Sequence, residues 1–130
     1  MEEKYHEAWL AKDLPRIHHQ LYQAPAVSDP ETSFHQLLQQ LEQEIERLKR
    51  SPYQASKPLQ HGRLAAQEYY SCKWFSSPHV RGTKGAKPDM RLIYKYNEDH
   101  TCIYLKAVGF RHEPPPIYHE GEQRSDIFEK

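Results

Sequence analysis

Two runs of alternating side chains, Met90 to Tyr96 and Ile103 to Phe110, constrain this fold more than any other feature of the chain. In the first, Leu92, Tyr94 and Tyr96 share one face, and Arg91, Ile93 and Lys95 share the other. In the second, Ile103, Leu105 and Ala107 oppose Tyr104, Lys106 and Val108. Strand side chains switch faces at every residue, so this period predicts two half-buried strands. Asn97-Glu98-Asp99-His100 between them is a short polar turn, and the pair reads as an antiparallel hairpin. One face is expected in a core. The other is expected to keep Arg91, Lys95 and Lys106 in water, with Tyr104 among them. Cations interleaved with aromatic rings on an open sheet suit a phosphate backbone and its bases.

Upstream the period changes. Phe34, Leu37, Leu38, Leu41, Ile45 and Leu48 follow at helical spacing among Gln and Glu, which predicts an amphipathic helix over residues 30–50. Ser28-Asp29-Pro30-Glu31 is its start. Ser28 or Asp29 caps, Pro30 fits the first turn, and Glu31 stands three after Ser28 as in a capping box. Lys49 and Arg50 suit its C-terminal end. A shorter helix is expected from Pro15 to about Gln23, with Ile17 and Leu21 on one face. Residues 2–12 are left between helix and strand; Glu2, Glu3, Glu7, Ala8 and Leu10 favour helix.

Gln67 to Phe75 is a third strand candidate, with Tyr70, Cys72 and Trp74 on one face. Residues 51–66 and 76–89 read as loops, punctuated by Pro and Gly. The tail after Tyr118 reads as polar and frayed. The order predicts one α+β domain. Its helical part spans about 1–50, its antiparallel sheet lies within about 67–118, and its polar tail is 119–130. The helices pack on one face, that of Trp74, Leu92 and Leu105.

A chain of 130 residues with mean hydropathy −0.98 can bury one modest core. No apolar run approaches bilayer length. The acidic start MEEKYHEAWL lacks a basic-then-apolar secretion signature, so cytoplasmic residence is expected. Cys72 and Cys102 show no CxxC spacing, so neither a disulfide framework nor a structural zinc site is expected. Net charge is zero but uneven. Residues 1–50 carry 6 Lys/Arg against 9 Asp/Glu, residues 51–112 carry 10 against 4, and residues 113–130 carry 2 against 5. The basic middle coincides with the strands and points to an anionic partner.

Metal-free RNA cleavage needs a base for the 2′-OH, positive charge for the phosphorane-like transition state, and an acid for the leaving 5′-oxygen. Arg91 and Arg111 can supply planar forks for phosphate oxygens. Lys73 can add a point charge, or act as base if neighbouring cations depress its pKa. Tyr118 can stack on a nucleobase. Arg81, Lys84 and Lys87 in the 76–89 loop, with Lys95 and Lys106 on the sheet, are candidate RNA contacts; the plain alternative is a solvated surface. Glu68 can serve as a base or be an ordinary exposed Glu, and His18-His19 reads as a surface pair.

KPLQHGRL (57–64), YYSCKWF (69–75), MRLIYKY (90–96) and YLKAVGFRHEPPPIY (104–118) resemble the RelE/ParE toxins of bacterial toxin–antitoxin pairs, closest to the RelE-type mRNA interferases. The resemblance implies that fold and ribosome-dependent cleavage of mRNA, with no metal or organic cofactor. It also implies an acidic antitoxin, encoded nearby, that covers the basic face. The family's strand arginine falls on Arg91, its arginine after the last strand on Arg111, its C-terminal tyrosine on Tyr118 and its strand lysine on Lys73. His119, next to Tyr118, is the candidate acid; His112 lies at the other end of the proline run. Two departures stand out. Ser71 occupies a place that is often basic, and the N-terminal residues lean to helix where the family begins with a strand. The alternative is a non-catalytic protein on this fold, a gyrase inhibitor or a protein-binding module.

Overall fold

A computed structural model describes residues 1–24, 27–50, 56–59, 62–77, 82, 84–111 and 117–124. The elements run β1 (Glu2–Tyr5), a π-helical turn (Trp9–Asp13), α1 (Leu14–Gln23), α2 (Pro30–Arg50), β2 (Ser56–Pro58), α3 (Gly62–Ala66), β3 (Tyr70–Trp74), β4 (Met90–Tyr96), β5 (Cys102–Phe110) and α4 (Ile117–Glu122). The strands form one open sheet in the order β1-β5-β4-β3-β2. All neighbours are antiparallel except β1, which runs parallel to β5. The architecture is α+β.

α2 starts and packs as its sequence dictates. Asp29 is the cap: its carboxylate accepts the Thr32 N–H at 3.2 Å and the Thr32 hydroxyl at 2.8 Å, which leaves fewer orphan N–H groups at the helix end. Leu37, Leu41, Ile45 and Leu48 are buried, and with Ile17 and Leu21 of α1 they cover Cys72, Trp74, Leu92, Tyr94 and Leu105. Each such aliphatic side chain contributes about 1.5–3 kcal/mol by leaving water. The seam is also tied at its edges. Tyr96 donates its hydroxyl to Leu48 O at 2.7 Å, and Lys49 reaches Glu3 on β1 at 2.9 Å.

Four readings are settled or corrected, the first of them one left open between helix and strand. First, residues 2–5 are a strand. Helix propensity is a weak prior, and it loses to the open edge of β5: the Glu2 N–H bonds Thr101 O at 2.8 Å and the His6 N–H bonds Leu105 O at 3.0 Å. Second, the sheet has five strands, because β2 adds a second edge from a stretch read as loop. Third, the alternation of β5 slips by one residue. The β4–β5 register shifts between Ile93 and Tyr94, so that Ile93 pairs with Ala107 and Tyr94 with Leu105. Lys106 is the extra residue. A bulge moves everything beyond it to the other face; Val108 therefore joins the α2 side and Ala107 the opposite side.

The fourth correction concerns that opposite side, which was expected to be open. It carries a second apolar cluster of Leu64, Tyr69, Ile93, Tyr104, Ala107 and Ile117, brought by α3 and α4. Residues 119–122 of the expected tail are thus helical and Arg124 is buried, rather than frayed; residues 125–130 lie outside the described residues.

Cys72 on β3 and Cys102 on β5 are buried thiols with β4 between them. Next-but-one strands stand about 9–10 Å apart, beyond the reach of a disulfide. Burial pushes the Cys102 thiol above its ordinary pKa. Both thiols should react with a thiol reagent in denatured, unreduced protein and slowly in folded protein. Recovery of a peptide cross-linked through the two would contradict the strand order.

Candidate functional site

Arg91 is the centre of one end of the sheet. It pairs across the β3–β4 ladder with Lys73 and across the β4–β5 ladder with Gly109. Side chains directly opposite on antiparallel strands share a face, with Cβ atoms about 4.5–5.5 Å apart, and like charges there repel. Lys73 is exposed, but Arg91 is only 3% exposed. One guanidinium nitrogen of Arg91 donates to Pro88 O at 3.0 Å and Met90 O at 2.8 Å. No carboxylate lies within ion-pair distance of it among the described residues. Asp89, the obvious neighbour, instead accepts the Ser76 N–H at 2.9 Å and the Ser76 hydroxyl at 2.6 Å. Arg91 is thus a buried cation, faced by a second cation and unneutralised among the described residues. Arg111 follows β5 by one residue; its N–H bonds Asp89 O at 2.8 Å, which sets it beside the Arg91–Gly109 pair with an exposed side chain.

α4 brings Tyr118 to the same end. A Cβ on Gly109 would stand 3.1 Å from Ile117 Cδ1, and one on Gly121 would stand 3.0 Å from Ile93 Cδ1. Glycine at both positions lets the helix lie close on the sheet. Tyr118 is half-buried, and its hydroxyl shares a hydrogen bond of 2.8 Å with Ser71 Oγ. Ser71 precedes Lys73 by two on β3, so both face the same way. His119 is exposed beside Tyr118. The sheet end therefore gathers Lys73, Arg91 and Arg111, with Tyr118 beside Ser71; His119 is the next residue along α4. Lys73 and Arg111 are the exposed cations of this end, and Arg91 lies buried between their strands.

The remaining basic residues lie elsewhere. Lys106 was expected to contact RNA, but it is 0% exposed. Its ammonium lies 3.3 Å from Gln67 Oε1 and 4.4 Å from the Tyr69 ring centroid. The bulge turns it under the chain that leaves α3, so that expectation fails. Lys95 is half-buried: it donates to Gln67 O at 3.2 Å and lies 4.5 Å from the same ring. Lys95 and Glu68 line a separate cleft of about 920 Å3 at the far end of the sheet, together with Tyr70 and Asn97. Glu68 holds a left-handed backbone (φ 64°). It ends α3 in a Schellman turn, with its N–H on Ala65 O and the Tyr69 N–H on Leu64 O, both at 3.0 Å. That accounts for Glu68 structurally and places it away from Arg91 as a base. Lys84 and Lys87 are exposed on the loop between β3 and β4. Arg81, His112 and Pro114 to Pro116 lie outside the described residues.

Three residues of this region were not found by reading the sequence. Ser71 was noted only for lacking a positive charge. Asp13 and Arg124 form a buried ion pair, with Nη2 to Oδ1 at 2.5 Å and Nη1 to Oδ2 at 2.7 Å. Arg124 lies in the stretch read as a polar tail, and nothing local couples positions 111 apart. Comparison with protein-family models, curated proteins and solved structures finds no match to this chain.

Proposed function

We propose that this chain is the toxin of a type II toxin–antitoxin pair and a ribosome-dependent endoribonuclease that cleaves mRNA. The observation that carries the reading is Arg91. Among the described residues Arg91 is a buried charge with no carboxylate beside it, and such a charge is costly; Lys73 stands opposite it on the next strand. An anion beside Arg91 would relieve that cost. A phosphodiester fits the planar fork of Arg91 and the point charge of Lys73. In this reading Arg91 and Lys73 hold the scissile phosphate, and Arg111 adds charge as the transition state develops. Tyr118 stacks on a base, and His119 gives the proton to the leaving oxygen. Lys84 and Lys87, with Arg81 on the same loop, contact ribosomal RNA. The strand at residues 2–5 adds support, since a chain resembling RelE/ParE toxins would begin with one.

The partner in this reading is an acidic, amphipathic antitoxin that covers the Lys73 and Arg91 end, bound through charge and weakened by salt. The alternative is a non-catalytic binding protein. It is favoured by the cover that α3 and α4 place over part of the basic face. Cleavage mapping on programmed ribosomes separates the two. Wild type should cut mRNA in the decoding site, and Lys73→Ala and Arg111→Ala should each lose at least about tenfold in rate with unchanged melting temperature. A wild type that leaves ribosome-bound mRNA intact would reject the nuclease reading and keep the binding module.

A further inference from the structure

An ion pair, not a strand, closes the edge of β5 beyond β1. β1 stops at Tyr5, opposite Leu105, and the His6 N–H makes the next bond, to Leu105 O. Past the bulge, Lys106 C=O and Val108 N–H meet Arg124 and Asp13 instead of a neighbouring chain. Arg124 donates to Lys106 O at 2.8 Å, and Asp13 accepts from the Val108 N–H at 3.0 Å. Asp13 is 1% exposed and Arg124 is 6% exposed. Buried backbone groups must find partners, and this pair supplies one donor and one acceptor where β1 has ended. The π-helical turn delivers Asp13, and the residues just past α4 deliver Arg124.

The same pair governs α4. Three contacts seat that helix: Ile117 over Gly109, Gly121 against Ile93 and Leu64, and Arg124 on Asp13. Glu120 adds a weaker one, 3.6 Å from Arg16 and 4.0 Å from Arg124, at partly exposed positions. The two apolar contacts permit small slides and rotations. The bidentate ion pair does not, because it fixes distance and plane together. Tyr118 sits in the first turn of this helix, and its hydroxyl finds Ser71 only if the helix is held in register.

We propose that Asp13 and Arg124 are positioning residues for Tyr118: their buried clasp sets the seat of α4 on the sheet and so holds the Tyr118 hydroxyl against Ser71. The effect on cleavage rests on the nuclease reading above; the positioning is a property of the free protein. The test uses the full chain carrying 3-fluorotyrosine at position 118, read by fluorine NMR well below the melting temperature. Arg124→Lys keeps the charge but cannot reproduce both bonds. Asp13→Asn keeps an acceptor for Val108 and removes the charge. Each should move the position-118 resonance toward that of Ser71→Ala. On ribosomes, each should lower kcat by about ten- to a hundredfold with KM little changed, as misplacement of one contacting group does. Arg124→Lys should cost nothing further in a Tyr118→Ala background. A wild-type resonance in both folded variants overturns the proposal. So does an equal rate loss with and without Tyr118, the mark of general loosening. If wild type proves inert on ribosomes, the nuclease reading falls and the resonance alone decides the clasp. If Asp13→Asn does not fold, Arg124→Lys decides it.

Discussion

Arg91→Met should remove most RNA cleavage, by roughly two to three decades, without lowering the melting temperature. The rate loss follows from deleting a positioned donor to developing charge. The stability result follows from burial. Arg91 is 3% exposed and has no carboxylate partner among the described residues, so methionine would replace an uncompensated charge with an apolar chain of similar reach. Two backbone acceptors, Pro88 O and Met90 O, would lose their donor, at about 1 kcal/mol each. Removing a buried charge that no described carboxylate neutralises offsets that. Alanine is the poorer probe, because at this burial it would leave a cavity. The measurement is ribosome-dependent cleavage by wild type and variant, with a thermal melt of each. Lost activity with a sharply lowered melting temperature would make Arg91 a structural residue. Full activity would remove it from the site.

Asp13→Ala should be the most damaging single substitution for stability, at about 3–5 kcal/mol. It strands the Arg124 guanidinium in the interior and leaves the Val108 N–H without its acceptor. For a chain of this length the loss corresponds to a melting temperature lower by about 10–20 °C. Replacing both partners, as in Asp13→Leu with Arg124→Met, should recover much of it, since a buried pair exchanged for apolar residues is often near neutral. Thermal unfolding of the two variants decides this. A double substitution as damaging as Asp13→Ala would mean that the backbone bonds to Lys106 and Val108, and not the stranded charge, set the cost.

The helical half of this fold was legible because its physics is local. Asp29, Pro30 and the Leu37–Leu41–Ile45–Leu48 stripe lie within one element, and the spacing alone places the buried face. The strands were legible for the same reason up to Lys106, and no further. A bulge is decided by the partner strand, so alternation in β5 assigned Ala107 and Val108 to the wrong faces. Residues 2–5 carry helix-favouring side chains but face an unpaired sheet edge, which outweighs propensity. The corner around Arg91 was half legible. Lys73, Arg91, Arg111 and Tyr118 were named from the sequence, but the burial of Arg91 was not, because strand alternation places a residue on a face without saying what covers that face. Asp13 and Arg124 left no trace, since neither has a local pattern that marks a partner.

The parallel pairing of β1 with β5 has a consequence for how the chain is made. Among the described residues β1 pairs with a strand synthesised about a hundred residues after it, with Glu2 opposite Cys102. The Asp13–Arg124 contact spans 111 residues. Contacts of such separation close late and slow the search. A growing chain can form the α1–α2 pair early, but it holds β1 as a bare edge until β5 has left the ribosome. The Tyr118 end of the sheet cannot be assembled until residue 124 has emerged, so the candidate site forms only after β5, α4 and Arg124 have all left the ribosome.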